Sequence, residues 1–177
     1  MNDGQRKYPV NIFVLHHSVG PRFADKPALV IQDWFSGIGK ARGYQNGAIN
    51  PHHEHPGRKG KLTYAMAQFA GHPYSKNKYN YRLVDLIKRP WQNVAWHAGN
   101  WEINVHSNGL ENCGDFRNYV LTEKQLMCIA DFLRPIDKEL GGTLNILLHQ
   151  EIIGTACPAR IKEQRNKLVD MINNPTK

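Results

Sequence analysis

Ile146-Leu147-Leu148-His149-Gln150-Glu151-Ile152-Ile153-Gly154-Thr155-Ala156-Cys157-Pro158 carries the most chemistry per residue in the chain. Its apolar start reads as the end of a buried strand, and Pro158 as the first position of a helix. Between them an imidazole and a thiol stand eight residues apart on a segment containing Gly154. A strand end and a helix start that each offer one metal ligand make half of a zinc site. Taken alone, such a pair is more often core packing than chemistry. The other half has a candidate in His16-His17, which follow the apolar run Ile12-Phe13-Val14-Leu15. Two polar rings directly after a buried strand are unusual placement, and a third ligand would leave the fourth tetrahedral position for water.

The remainder of the chain supplies the scaffold. Its 177 residues, 41% hydrophobic and 21% charged, suit one globular domain with a real core. We expect that domain over 1–172, with 173–177 as a tail or linker stub. The short apolar run ending at Leu15 predicts neither a membrane span nor a signal peptide, hence synthesis in the cytoplasm. Cys113, Cys128 and Cys157 are an odd number without clustered spacing, so no disulfide is expected. A net charge of +8 points to an anionic partner, whether nucleic acid, anionic lipid or a carboxylate-rich wall polymer. Nucleic acid is the least supported of these, since no groove-reading helix or zinc-finger spacing is present.

Asn11 to Leu15 reads as a central strand covered on both faces. Pro27 to Phe35 reads as a helix with Ala28, Ile31, Trp34 and Phe35 on one face, ended by Gly37 and Gly39. Residues 36–62 lack periodicity and read as a long surface loop, carrying the cluster His52-His53-Glu54-His55. Strands are expected over 64–69, over Tyr79 to Ile87 and around Leu110, with turns at Gly71-His72-Pro73 and at Ser75-Lys76-Asn77. Thr122 and Gln125 form a capping box that opens a helix with Leu126, Ile129, Ala130 and Leu133 inward, and Pro135 should kink or end it. After the strand Asn145 to Leu148, a last helix from Pro158 presents Ile161, Leu168, Val169 and Ile172. The fold class that follows is α/β (α+β), a single mixed central β-sheet flanked by helices.

Four segments in order carry a resemblance. Phe13-Val14-Leu15-His16-His17-Ser18, Ala95-Trp96-His97-Ala98-Gly99-Asn100, Ser107-Asn108-Gly109-Leu110-Glu111 and His149 through Cys157-Pro158 are similar to the motifs of the type 2 N-acetylmuramoyl-L-alanine amidases, which include phage endolysins and peptidoglycan recognition proteins. They span nearly the whole chain, and are specific together though not singly. The resemblance implies one Zn2+ held by His16, His149 and Cys157, and hydrolysis of the amide between the lactyl group of N-acetylmuramic acid and L-alanine of the stem peptide. Two residues compete for proton handling. Glu111 falls where one branch has a catalytic glutamate, and Tyr64 resembles the tyrosine that another branch places by the zinc. Thr155 stands where many phage members carry a lysine, so it offers a hydrogen bond without positive charge. His17, Trp96, His97 and Asn100 are expected at the substrate. Leu148 replaces a small residue, and Ala159 replaces the glycine that usually follows Cys-Pro.

The implied protein is a monomeric phage or prophage endolysin domain, antimicrobial in effect. It would be released through a holin, with bacterial peptidoglycan as its partner and without nucleic acid or membrane insertion. The competing reading is a recognition module that binds peptidoglycan without cutting it; such members typically lack a zinc ligand.

Overall fold

The computed structural model describes residues 9–41, 53–59, 62–64 and 67–175. Seven strands are present among them: β1 (Ile12–His17), β2 (His53–Glu54), β3 (Leu62–Thr63), β4 (Phe69–Pro73), β5 (Tyr81–Asp85), β6 (Ser107–Asn112) and β7 (Asn145–Leu148). The helices are α1 (Ala28–Ala41), α2 (Trp101–His106), α3 (Glu123–Glu139), α4 (His149–Ile152) and α5 (Arg165–Asn173). Five strands form one sheet in the order β5-β4-β6-β1-β7. β1 runs parallel to β6 and β7, β4 runs parallel to β6, and β5 alone is antiparallel, so the sheet is mixed as expected.

Each face of the sheet has its own apolar layer. Phe13, Leu15, Phe69 and Leu110 pack with Leu126, Ile129 and Leu133 of α3 and with Leu168 and Ile172 of α5. Ile31 and Phe35 of α1 pack with Ala70, Val84 and Ala95 in a second cluster. Burying each large side chain contributes about 1.5–3 kcal/mol, so β1, buried on both faces, is pinned in register by its own sequence. That register matters because it brings His16 opposite Glu111, and His17 opposite Asn112, at the carboxyl ends of parallel strands. Crevices at such ends are where open α/β sheets bind ligands.

Several local expectations are corrected by packing. α1 continues through Gly37 and Gly39 to Ala41. Ile38 extends the stripe begun by Ile31 and Phe35 into a cavity wall, which offsets the roughly 1 kcal/mol that each helical glycine costs. The segment 36–62 is not one loop: it holds the end of α1 and the β2–β3 ladder, while 42–52 and 60–61 lie outside the described residues. Within it, His55 and Arg58 both reach Asp33 of α1, and Glu54 pairs with Lys88. Of the strand expected over 64–69, positions 65–66 lie outside the described residues; among those described the strand begins only at its last residue, as Phe69–Pro73, and uses the Gly71-His72-Pro73 segment read as a turn. Turn-type residues serve a strand there because the Tyr81 hydroxyl lies 2.2 Å from where a Cβ on residue 71 would stand.

Pro135 sits inside α3 without ending it. The final turn is held from outside, where Leu144 N–H donates to Asp137 Oδ1 at 2.9 Å and Gly142 N–H to the Asp137 carbonyl at 2.8 Å. The Thr122–Gln125 capping box is present in both directions. Pro158 opens a 3-10 stretch, Ala159–Gln164, before α5. No helix among the described residues is long and apolar enough to cross a membrane.

Candidate metal centre and its cavity

A cavity of about 460 Å³ opens at the carboxyl ends of β1, β6 and β7. Its size is that of a small-molecule or peptide site. Its lining includes His16, His17, Trp96, His97, Glu111, His149, Thr155 and Cys157, so eight of the ten residues expected from sequence converge. Asn100 and Tyr64 are not among the lining residues. Asn100 instead caps α2, its Oδ1 accepting from Ile103 N–H at 3.2 Å. Tyr64 follows β3, and its backbone N–H donates to Ser36 Oγ at 3.2 Å.

Three side chains meet at the centre. Ligand atoms of His16, His149 and Cys157 all lie within 4.8 Å of one another, the only such His/Cys/Asp/Glu group among the described residues. His16 Nδ1 is 3.8 Å from Cys157 Sγ, close to the roughly 3.6 Å that separates a nitrogen and a sulfur on one tetrahedral zinc. Both ring nitrogens of His149 are buried without a hydrogen-bond partner. Two orphaned imidazole nitrogens would cost several kcal/mol together if nothing bound them. The donor set of two imidazoles and one sulfur suits zinc. His16 Nδ1 also lies 4.0 Å from Glu111 Oε1, which brings a carboxylate beside the centre without joining the cluster.

The electrostatics agree with that assignment. Burial first, and then the neighbouring rings of His97, His149 and His17, hold His16 well below its ordinary pKa. Burial also lowers His149. Both imidazoles are therefore neutral and have lone pairs to give. Burial, and next the charge of Glu111, push the Cys157 thiol up to about 12, against the opposing His17 N–H. A thiol so high is no nucleophile at neutral pH, which sets Cys157 apart from activated catalytic cysteines. It is suited to ligation, where a cation takes the place of its proton.

His17, lowered chiefly by burial, and His72, lowered by burial and then by the Arg82 charge, join the same trend. As pH falls through about 6.5 the unfolded chain takes up protons that these four folded imidazoles refuse, so the unfolded state gains. The melting temperature of metal-free protein should thus hold steady above about pH 7 and decline toward about pH 5. A melting point that stayed level or rose over that interval would contradict the burial of these rings.

Sequence reasoning missed part of the cavity wall. Trp34, Phe35 and Ile38 of α1, Val19 and Arg117 line it. Trp34 and Phe35 read as ordinary core positions, Ile38 falls in the segment read as a loop, and nothing in the sequence marks Arg117, which is clamped by Asp115. Of the three clustered tryptophans, Trp91 packs in the core against Phe69 and Phe132. Trp96 alone of the three lines the cavity, stacked on Trp101 with centroids 6.4 Å apart.

A family model for N-acetylmuramoyl-L-alanine amidases matches residues 6–160. The chain belongs to this family. The membership places it among peptidoglycan amidases and binders. No curated protein matches the chain by sequence. Solved structures share the fold. The N-acetylmuramoyl-L-alanine amidase LysC from Clostridium intestinale URNW is 18% identical, with 91% of this chain and 86% of that one covered and a TM-score of 0.58. The Ph2119 endolysin from Thermus scotoductus MAT2119 bacteriophage Ph2119 is 19% identical over 95% and 87% of the two chains, at 0.61. Peptidoglycan recognition protein LE, solved in complex with tracheal cytotoxin, is 19% identical over 92% and 82%, also at 0.61.

The geometry also puts a cost on one departure from the family pattern. Ala159, where the family usually has glycine, adopts φ +56°. A residue bearing a Cβ pays about 1–2 kcal/mol in that region. Ala159→Gly relieves it and returns about 0.4–1 kcal/mol through a more flexible unfolded chain. We expect a melting temperature raised by about 1–3 °C in a thermal scan. A lowered value would mean that the Ala159 methyl contributes more by packing than its backbone costs.

Proposed function

We propose that the protein is a zinc-dependent N-acetylmuramoyl-L-alanine amidase that cleaves the bond between the lactyl group of N-acetylmuramic acid and L-alanine of the stem peptide. The observation that carries this reading is the convergence of His16, His149 and Cys157 within 4.8 Å, with His149 otherwise unpartnered in a buried place. Zinc held there would supply an acidified water and polarise the scissile carbonyl.

The chain's own residues divide the remaining work. Glu111, 6% exposed and at the cavity wall, would take the proton of an attacking water and pass it to the leaving amine. Thr155 Oγ accepts from Cys157 N–H at 3.3 Å, which leaves its own hydroxyl proton for a substrate oxygen. Trp34, Phe35 and Trp96 give an apolar wall for substrate and exclude water. Tyr64, with its backbone tied to α1 away from the cavity lining, is the weaker candidate for proton handling.

Residues 1–172 form the catalytic domain in this reading. The protein works as a monomer on bacterial peptidoglycan, as a phage or prophage endolysin released through a holin. The net charge of +8 favours approach to an anionic wall. A binding module of the recognition type shares the fold, but a complete ligand triad argues for cutting. Digestion of purified peptidoglycan with mass analysis tests the assignment. Free stem peptides beginning at L-alanine are expected; reducing sugar ends would reject it, and intact polymer after zinc loading would leave the binding module.

A further inference from the structure

His97 was expected at the substrate, yet its ring is nearly all buried and reaches the back of a proposed metal ligand. His16 Nε2 lies 3.2 Å from His97 Nδ1. On its other side, His97 Nε2 lies 3.0 Å from Ser107 Oγ. The Ser107 hydroxyl in turn donates to the Ile103 carbonyl at 2.6 Å. That last bond sets the direction of the whole chain, because a hydroxyl has one proton and a carbonyl can only accept. With its proton committed to Ile103, Ser107 Oγ accepts, so His97 Nε2 carries the hydrogen. His97 Nδ1 is then a bare lone pair and accepts from Nε2–H of His16. His16 is left with its own lone pair on Nδ1, the atom 3.8 Å from Cys157 Sγ.

The fold builds this arrangement from several sides. Asn104 Oδ1 accepts from both His97 N–H, at 3.1 Å, and Ala98 N–H, at 2.9 Å, fixing the backbone that carries the ring. A Cβ at position 109 would stand 2.6 Å from His97 Cγ, so the glycine of β6 makes the space in which the ring lies. Gly109 N–H is held by Gln68 Oε1 at 2.7 Å.

We propose that His97 is a positioning residue: polarised by Ser107 and the Ile103 carbonyl, it holds His16 in the Nε2–H tautomer that turns Nδ1 toward the metal centre. This deepens the zinc reading of the site and rests on it. Without the acceptor, His16 would divide between two tautomers, one of which presents N–H in place of a lone pair. Partners that orient a ligating imidazole commonly contribute 10–100-fold in metal affinity.

The test compares wild type, His97→Phe, His97→Asn and Ser107→Ala. Zinc affinity is read by competition with a chromophoric chelator, and the His16 ring by long-range 1H–15N correlation in metal-free protein. Wild type should show a protonated Nε2 and a bare Nδ1. His97→Phe should bind zinc about 10–100-fold more weakly and show mixed tautomers. His97→Asn sets an amide oxygen near the former Nδ1 and should recover most of the affinity, which general loosening of the site would not allow. Ser107→Ala, which removes a single hydroxyl, should shift the ring signals toward mixing and covers the case in which His97→Phe does not fold. Wild-type affinity in His97→Phe, or a protonated Nδ1 in the wild-type spectrum, would overturn the proposal. Failure of wild type to take up zinc would instead overturn the zinc reading, while the ring spectrum still decides the tautomer.

Discussion

Cys157→Ser is expected to leave purified protein with less than about a tenth of an equivalent of zinc and no lytic activity. Serine nearly preserves the shape of cysteine but binds zinc poorly, because its hydroxyl does not ionise as a thiol does when a cation displaces the proton. The substitution retains a polar atom near His17 N–H, which donates to Cys157 Sγ at 3.3 Å. Fold loss is therefore not the expected cause. Metal-free Cys157→Ser and metal-free wild type should melt within about 2 °C of each other. His149→Ala should give the same zinc loss by a different route, since it deletes the ring whose two nitrogens have no protein partner. With wild type as the reference, metal analysis and a turbidity assay on peptidoglycan check both variants. A variant that kept a full equivalent of zinc would exclude its residue from the ligand set.

Glu111→Ala is the complementary experiment, expected to keep zinc and lose turnover by about 10²–10⁴-fold. The carboxylate is 4.0 Å from His16 Nδ1, near enough to serve a water at the centre, yet outside the group of three that meets within 4.8 Å. The effect should fall on kcat, because a proton acceptor acts on the reaction and not on holding the peptide. Glu111→Gln keeps the side-chain size and removes the base, so it should be nearly as slow as the alanine variant. Full activity in Glu111→Gln would move proton handling to Tyr64, and Tyr64→Phe would then carry the loss.

Much of this site is legible in one dimension because strand ends and ligands coincide. The apolar runs before His16 and His149 announce buried strands, and a buried strand ending in histidine has few uses. β1 and β7 pair as neighbours, so two candidate ligands that are far apart in sequence come together by sheet registry. Glu111 is marked in the sequence only by the family resemblance, and its place opposite His16 on β6 comes from strand pairing. The errors cluster where residue type and context disagree. Glycines at 37 and 39 read as a helix end, and Gly71-His72-Pro73 read as a turn, because intrinsic preference is all that a single sequence shows. Packing of Ile38 in the cavity wall, and of Gly71 beneath the Tyr81 hydroxyl, overrode those preferences.

The sequence by itself determined the types of the candidate ligands, the order of the motifs and the strands β1 and β7, since these depend on residue identity and short-range periodicity. Only the tertiary structure decided what each polar side chain does. It turned Asn100 to cap α2 and set Tyr64 beside α1. It also placed His97 between His16 and Ser107. The physical reason is that a hydrogen bond is specified by distance and direction between groups remote in the chain. Neither quantity is written in the spacing of residues.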